Sequence, residues 1–298
     1  MYISCTFAAS MHSKLTNWGL FILLSFIWGS SFILMKEGLK QLSAYEVAAL
    51  RMLSAGVVLL PFAIKGFLNV EKSKLGYILL TGVIGSFIPA ILFCVAETKI
   101  DSALAGMLNA LTPLCVIIIG VLFFKSKTEW QKITGVVVGF AGMVLLFLSQ
   151  KTQTQDTHLL YAFLVFIATL CYGLNVNILS TFLKHIPSLQ IAAVAFVSLI
   201  IPSLVLLWQD HFFENDLTNT RILKSVGYSC VLGIFGTAVA SILFYMLLKR
   251  AGALFSSMVT YGIPFVAVFW GIIYNESITA LQMLGLLIIL SGVYIANK

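Results

Sequence analysis

Apolar residues run through this chain in long blocks, and polar residues are confined to the short gaps between them. Ten blocks are read, at 17–36, 45–65, 75–96, 102–124, 131–149, 158–182, 188–208, 224–248, 253–274 and 279–296. Each is near the ~20 residues that a helix needs to cross a bilayer core. Short segments of strict alternation, the mark of a spanning barrel, do not occur, so helices are the expected spanning element. The longest polar stretch runs from Gln209 to Lys224, and tight connections such as Lys249–Ala253 set neighbouring helices antiparallel.

The blocks repeat. At an offset of 144, Gly29 pairs with Gly173, Lys40 with Lys184, Ala48 and Ala49 with Ala192 and Ala193, and Ser54 with Ser198. At 151, Gly82 and Gly85 pair with Gly233 and Gly236, Phe93 with Phe244, Lys99 with Arg250, Pro113 with Pro264 and Gly120 with Gly271. At 150, Gly135 and Gly142 pair with Gly285 and Gly292. Each change of offset falls in a connection, where insertions belong. The halves are 11–149 and 158–298, joined by the polar segment Gln150–Thr157. Five spans per half is an odd number, so the second half enters the bilayer upside down. The expected fold is an all-α membrane protein of ten transmembrane helices in two inverted five-helix repeats, a common build for secondary transporters.

Composition narrows the class further. Hydrophobic residues make up 60% of the chain and charged residues 10%, against about a quarter charged in soluble domains. The net charge of +7 sits in short loops, where it sets topology and is no nucleic-acid signal. With the N-terminus inside, eleven Lys and Arg residues face the cytoplasm and six face out, which places both termini inside. The five cysteines form no CxxC pair and read as small apolar residues. No clear cleavable signal is read, and Met11 is a second candidate start.

Candidate chemistry lies where polar groups fall at mid-depth. Trp28-Gly29-Ser30-Ser31 matches Tyr172-Gly173-Leu174-Asn175, with Asn177 two residues on. These groups suit either a small-molecule wall or hydrogen bonding between helices. Pro113 and Pro264 occupy equivalent places, each after polar residues: Asn109 and Thr112, Thr260 and Tyr261. A proline inside a helix frees a carbonyl and bends the chain, so the pair shapes packing or lines a cavity. Tyr245 adds a further hydroxyl. Gly135 and Gly139 form a GxxxG, read as packing within one subunit rather than between subunits. The fifth and tenth spans are the least polar and fit a peripheral role.

Arg51 is the most unusual residue. It lies inside the second span, and its repeat mate is Ala195. A charge within a span costs at least ~2.5 kcal/mol at the centre, and an arginine does not escape by losing its proton. It is either a snorkelling residue that locks two helices or an anion-binding or gating group. Glu97, at the outer end of the third span, is a candidate partner. No acid lies at the centre of a span. Glu97 is the best-placed candidate for proton coupling, but its position reads as that of a solvated interfacial acid. HExxH, paired mid-span Asp and GxS with a partnered His are all missing, as are charge rings and carbonyl-filter motifs. No enzyme, metal site or cofactor is expected.

With these residues in view, the chain resembles the drug/metabolite transporter superfamily, in particular its ten-span EamA-type carriers. The resemblance runs from Trp18 to Ala296. It rests on Ile27-Trp28-Gly29-Ser30-Ser31-Phe32, Leu50-Arg51-Met52 and Asn109-Ala110-Leu111-Thr112-Pro113 in the first half. In the second it rests on Tyr261-Gly262-Ile263-Pro264, Asn275-Glu276-Ser277-Ile278-Thr279, and Gln282-Met283-Leu284-Gly285 to Ser291-Gly292-Val293. Ser126 stands where the second half has Glu276, a departure from symmetry at that turn. The resemblance implies an inner-membrane carrier, mostly exporting metabolites, amino acids or related solutes. It also implies a central cavity lined by the first, third, fourth, sixth, eighth and ninth spans.

The expectation is therefore a carrier in the lipid bilayer with a small-molecule substrate and no nucleic-acid partner. Trp28, Ser31, Arg51, Asn109, Tyr172, Asn175, Thr260 and Tyr261 would bind the substrate, and Pro113 and Pro264 would set helix bends. Drug or quaternary-cation efflux, and a non-transporting sensor or scaffold, stay as alternatives.

Overall fold

The computed structural model describes residues 2–126, 129–149 and 155–296, with side chains at 14–126, 129–146, 148–149 and 159–296. The side chains of Cys5, His12, Lys127, Lys151, His158 and Lys298 lie outside that range. Among the described residues every regular element is helical. Seven stretches are long and apolar enough to cross a membrane: Lys14–Gly38, Ala44–Asn69, Lys72–Glu97, Ser102–Phe124, Leu159–Phe182, Ser188–Gln209 and Thr220–Ser257. Shorter apolar helices lie at Trp130–Leu146, Val259–Ile273 and Ala280–Ala296. The chain is an integral membrane protein.

Unbroken helices are α1 (Tyr2–Gly38), α2 (Ala44–Asn69), α7 (Trp130–Leu148), α8 (Gln155–Phe182), α13 (Val259–Ile273) and α14 (Ala280–Ala296). The others are interrupted, which periodicity alone did not foretell. The third apolar block is α3 (Lys72–Gly82), a π-helical stretch at Val83–Phe87, then α4 (Ile88–Glu97). The fourth is α5 (Ser102–Asn109) and α6 (Thr112–Phe124), and the seventh is α9 (Ser188–Ser198) and α10 (Ile200–Gln209). The eighth is α11 (Thr220–Val231), a π-helical stretch at Leu232–Val239, then α12 (Ala240–Ser257), which turns sharply at Gly252 with φ +85°.

The two ends of the bundle are tied by different chemistry. At one end Ser43 and Glu46 form a reciprocal cap on α2, with Glu46 N–H donating to Ser43 Oγ at 3.1 Å and Ser43 N–H to Glu46 Oε2 at 2.7 Å. Asn215 donates to Glu46 Oε1 at 2.7 Å, Ser43 to Asp210, and Ser225 Oγ to the Glu37 carbonyl at 3.0 Å. At the opposite end rings dominate. Tyr77 stacks on Phe182 at 4.4 Å, and Trp18 meets Phe21 and Phe255 at 5.3 and 5.5 Å.

α7 and α14 pack along each other, and their glycines make the contact. A Cβ at Gly135 would lie 2.3 Å from the Gly292 carbonyl oxygen, and one at Gly292 would lie 2.4 Å from the Gly139 nitrogen. The GxxxG is thus used within the chain, backbone against backbone. Gly292→Ala is expected to destabilise by about 1–3 kcal/mol through overpacking. Gly76→Ala, with nothing within 4 Å of the added carbon, is expected to be neutral or to stabilise by about 0.5–1 kcal/mol. Thermal unfolding of both variants in detergent checks the difference.

Candidate functional site

The cavity is assembled by helix faces. α1 supplies Trp28, Ser31, Phe32 and Met35, the spacing that puts side chains on one side of a helix. α8 supplies Tyr172, Asn175 and Val176 in the same pattern, and α4 closes in with Phe93. Aromatic rings form much of the wall, with Phe93 and Tyr172 stacked at 6.0 Å and Trp28 tilted on Phe244 at 5.2 Å. Asn175 Oδ1 is buried and has no hydrogen-bond partner among the described residues.

Further contributions come from places where a helix loosens. The π-helical stretches bring Gly85 and Ser86 from one side and Gly236 and Thr237 from the other. The break between α5 and α6 brings Asn109 and Thr112, and the break between α12 and α13 brings Ser257 and Thr260. Backbone groups freed in a membrane need partners, and local side chains supply them. Trp28 Nε1 donates to the Gly236 carbonyl at 3.1 Å, Thr112 Oγ1 to the Asn109 carbonyl at 2.8 Å, and Thr260 Oγ1 to the Ser257 carbonyl at 2.8 Å.

Arg51 enters from α2 and is the only charged side chain lining the cavity among the described residues. Its Nε donates to Thr237 Oγ1 at 2.7 Å. Gly233 sets this contact. A Cβ there would lie 2.3 Å from the Arg51 carbonyl oxygen, so only glycine lets α2 approach the π-helical stretch closely enough. Arg51 is buried and does not snorkel to an interface. The expected ion pair with Glu97 is not formed: no described acid lies within 4.0 Å of the guanidinium.

A second polar centre sits above the cavity. α13 ends with Asn275 in the left-handed region at φ +57°, and Glu276 N–H then donates to the Gly271 carbonyl at 2.8 Å and Asn275 N–H to the Ile272 carbonyl at 3.1 Å. This closure turns Glu276 inward. Its Oε1 accepts from Lys36 Nζ at 2.6 Å and from Ser102 Oγ at 2.5 Å, and its Oε2 accepts from the Ala103 N–H at 2.9 Å. One carboxylate therefore caps α5 and ties α1 to the α13–α14 connection. Burial opposes its charge, but Lys36, Ser102 and Ala103 outweigh that and hold the Glu276 carboxyl below the usual carboxylate range.

Of the residues singled out in the sequence, Trp28, Ser31, Arg51, Asn109, Tyr172, Asn175 and Thr260 line this one cavity, as does Tyr245. Tyr261 does not. It follows Thr260 on α13 and so points about 100° away around the helix. Asn177 donates to the Val116 and Gly173 carbonyls and joins helices instead. Pro113 opens α6 just after the break, whereas α13 runs unbroken through Pro264 and its loosened turn lies earlier, with Tyr261 N–H on the Met258 carbonyl at 2.9 Å. The prolines are thus not used alike. Glu97 also departs from expectation. It is buried, with both carboxyl oxygens lacking a hydrogen-bond partner among the described residues. The sequence reading missed Thr237, Ser86 and Ser241. The signal for the first two was the glycine pairs beside them, Gly82/Gly85 and Gly233/Gly236.

Fold and cavity define a helical membrane protein that encloses a polar, aromatic-walled site with a single cation. The chain belongs to the EamA-like transporter family, whose profile matches residues 17–148 and 159–298. It is similar to an "Uncharacterized transporter" of Archaeoglobus fulgidus, 23% identical over 95% of this chain and 99% of that one. It is also similar to a "Probable amino-acid metabolite efflux pump" of Escherichia coli, 23% identical over 92% of each chain. A third relative, the "S-adenosylmethionine/S-adenosylhomocysteine transporter" of Chlamydia trachomatis, is 23% identical over 91% of this chain and 86% of that one. A solved crystal structure shares the fold, with a TM-score of 0.66 at 14% identity, covering 95% of this chain and 96% of that one.

Because the folded-state Glu276 carboxyl is the stronger acid, its contribution to stability is present above the ordinary glutamate range and is lost as pH falls through the folded value. Glu276→Gln is expected to unfold at a lower temperature at pH 7. It is also expected to lose less than the native chain on acidification to about pH 4. Thermal melts across that range read both effects.

Proposed function

We propose that this chain is a secondary carrier that exports small metabolites bearing a carboxylate, amino acids foremost, by alternating access across a bacterial inner membrane. Ten spans in two inverted repeats, 11–149 and 158–298, would leave both termini in the cytoplasm. The repeat reading is supported by the two π-helical stretches, which begin beside glycine pairs related by the 151-residue offset.

Arg51 carries the substrate reading. A guanidinium on the wall of an otherwise uncharged cavity is a two-pronged donor for a carboxylate. Asn175 Oδ1, buried and unpartnered, is an acceptor for an ammonium group. Together they suit the two ends of a zwitterion, and the rings of Trp28, Phe93 and Tyr172 suit an apolar side chain. Ser31, Asn109 and Thr260 complete the polar lining, while Tyr261 stands outside it in this conformation.

The named relatives favour the same class, since one is called an amino-acid metabolite efflux pump and another a transporter of S-adenosylmethionine. The latter compound ends in an amino acid and carries a ring system that an aromatic wall would hold, so it is the second substrate to try. Quaternary cations fit less well, because no Asp or Glu lines the cavity among the described residues. A sensor would bind without moving its ligand.

Counterflow into liposomes tests the proposal, with a labelled amino-acid mixture outside and the unlabelled mixture trapped inside. Transient accumulation of label is expected. Arg51→Leu removes a charge-assisted hydrogen bond worth about 1.5–3 kcal/mol, so half-saturation should rise about 10–100-fold, with Arg51→Lys between the two. Unchanged transport by a well-folded Arg51→Leu variant would sink the role of Arg51. Label that binds without accumulating would move the weight to a sensor.

A further inference from the structure

The cavity residues leave one buried acid unexplained. Glu97 ends α4 at the level of the Glu276 network, and its side chain is withdrawn from solvent. Neither carboxyl oxygen has a hydrogen-bond donor among the described residues. Structural acids in this protein look different. Glu276 takes three donors besides its ion pair, and Glu46 completes a helix cap and accepts from Asn215. A carboxylate out of water with no donor is held at a high electrostatic cost, and a proton removes that cost.

Charged groups face Glu97 from two of the helices that α4 packs against and from the connection after α13. α2 presents Arg51, α1 presents Lys36, and the connection after α13 presents Glu276. Cys94 lies one turn back on α4, and α8 places the Tyr172 phenol beside Arg51 and Cys94. Asp101, just before α5, faces Lys36 at 3.7 Å. Lys36 is already engaged by Glu276 at 2.6 Å. Among the described residues Arg51 is therefore the one cation facing Glu97 that is not committed to another acid, and it is also the cation of the cavity.

We propose that Glu97 is the proton-exchanging group that couples this carrier to a pH gradient. The inference rests on the transport reading above. When Glu97 is ionised, its charge and an incoming substrate carboxylate compete for Arg51. When Glu97 holds a proton, the guanidinium is left to the substrate. Proton and substrate then raise each other's affinity by the same factor and cross together, so export runs when the outward substrate gradient exceeds an opposing inward proton gradient. The step makes and breaks only the O–H bond of the Glu97 carboxyl, with water as proton donor on one side of the membrane and acceptor on the other. Glu97 does not line the cavity, so it acts on the substrate through Arg51 and is a positioning residue.

The test uses the full chain in liposomes and two readouts. One unit of pH difference acting on one proton supports about tenfold accumulation. A gradient imposed in either direction is therefore expected to drive about tenfold accumulation or depletion of the labelled amino-acid mixture by the native chain. Glu97→Gln is expected to lose that response, and Glu97→Asp to regain part of it. The second readout is infrared difference spectroscopy of the protein titrated without substrate. It should show a protonated-carboxyl carbonyl stretch in the native chain that is missing from Glu97→Gln.

Gradient-driven accumulation equal to native in Glu97→Gln would overturn the proposal, as would a native chain that exchanges substrate but ignores the gradient. A Glu97→Gln chain that fails to fold leaves the decision to Glu97→Asp, whose infrared band and gradient response must both persist. If the native chain exchanges no amino acid at all, the substrate reading fails by itself. The infrared band then still decides: a native spectrum identical to that of Glu97→Gln overturns the role of Glu97, and a band that shifts in Glu97→Asp supports it.

Discussion

Inside a bilayer a backbone N–H or C=O finds its partner within the protein or goes without. That constraint bears on most of the irregular backbone here, the break at Leu199 and the turn at Gly252 apart. Among the described residues, both π-helical stretches and the breaks at Ala110–Leu111 and Met258 lie against the cavity, and the carbonyls at Asn109, Gly236 and Ser257 are taken up by Thr112, Trp28 and Thr260. The residues that repair the backbone also line the site. Trp28 shows this best, as its ring walls the cavity while its N–H satisfies the opposite helix. The cost of loosening a helix in lipid is offset by the same side chains that define the pocket.

Close approach is the second requirement. Gly233 lets α2 reach the π-helical stretch, which places Arg51 against Thr237. A buried guanidinium without an acid would be expensive in a dry interior. Thr237 and the polar cavity meet part of that demand and leave the charge facing inward. Arg51 thus sits where packing, electrostatics and the proposed chemistry meet, and no neighbour neutralises it.

Helix positions and most of the pocket were legible in the chain because polar residues inside apolar blocks stand out. Trp28, Ser31, Asn109 and Asn175 are of this kind. Tyr261 stands outside the lining in this conformation, although its neighbour Thr260 belongs to it. Thr237 and Ser86 stayed hidden because a π turn shifts the register of every following side chain, and small residues near glycines read as packing. Glu97 was read as a solvated acid from its place at a helix end. What buries it are elements distant in sequence, and spacing along one helix carries no record of those.

The Glu276 network also bears on how the protein is made. Lys36 and Ser102 are synthesised early, yet the acid they share lies 240 and 174 residues further on. Chains emerge N-terminus first, and early segments settle before late ones exist. Until the α13–α14 connection arrives, a lysine at the end of α1 lacks this carboxylate and α5 lacks the acid that caps it. Until then Lys36 has only Asp101, at 3.7 Å, as a paired acid among the described residues. Glu276 thus completes a tie between the two halves of the chain that a product ending before it would lack.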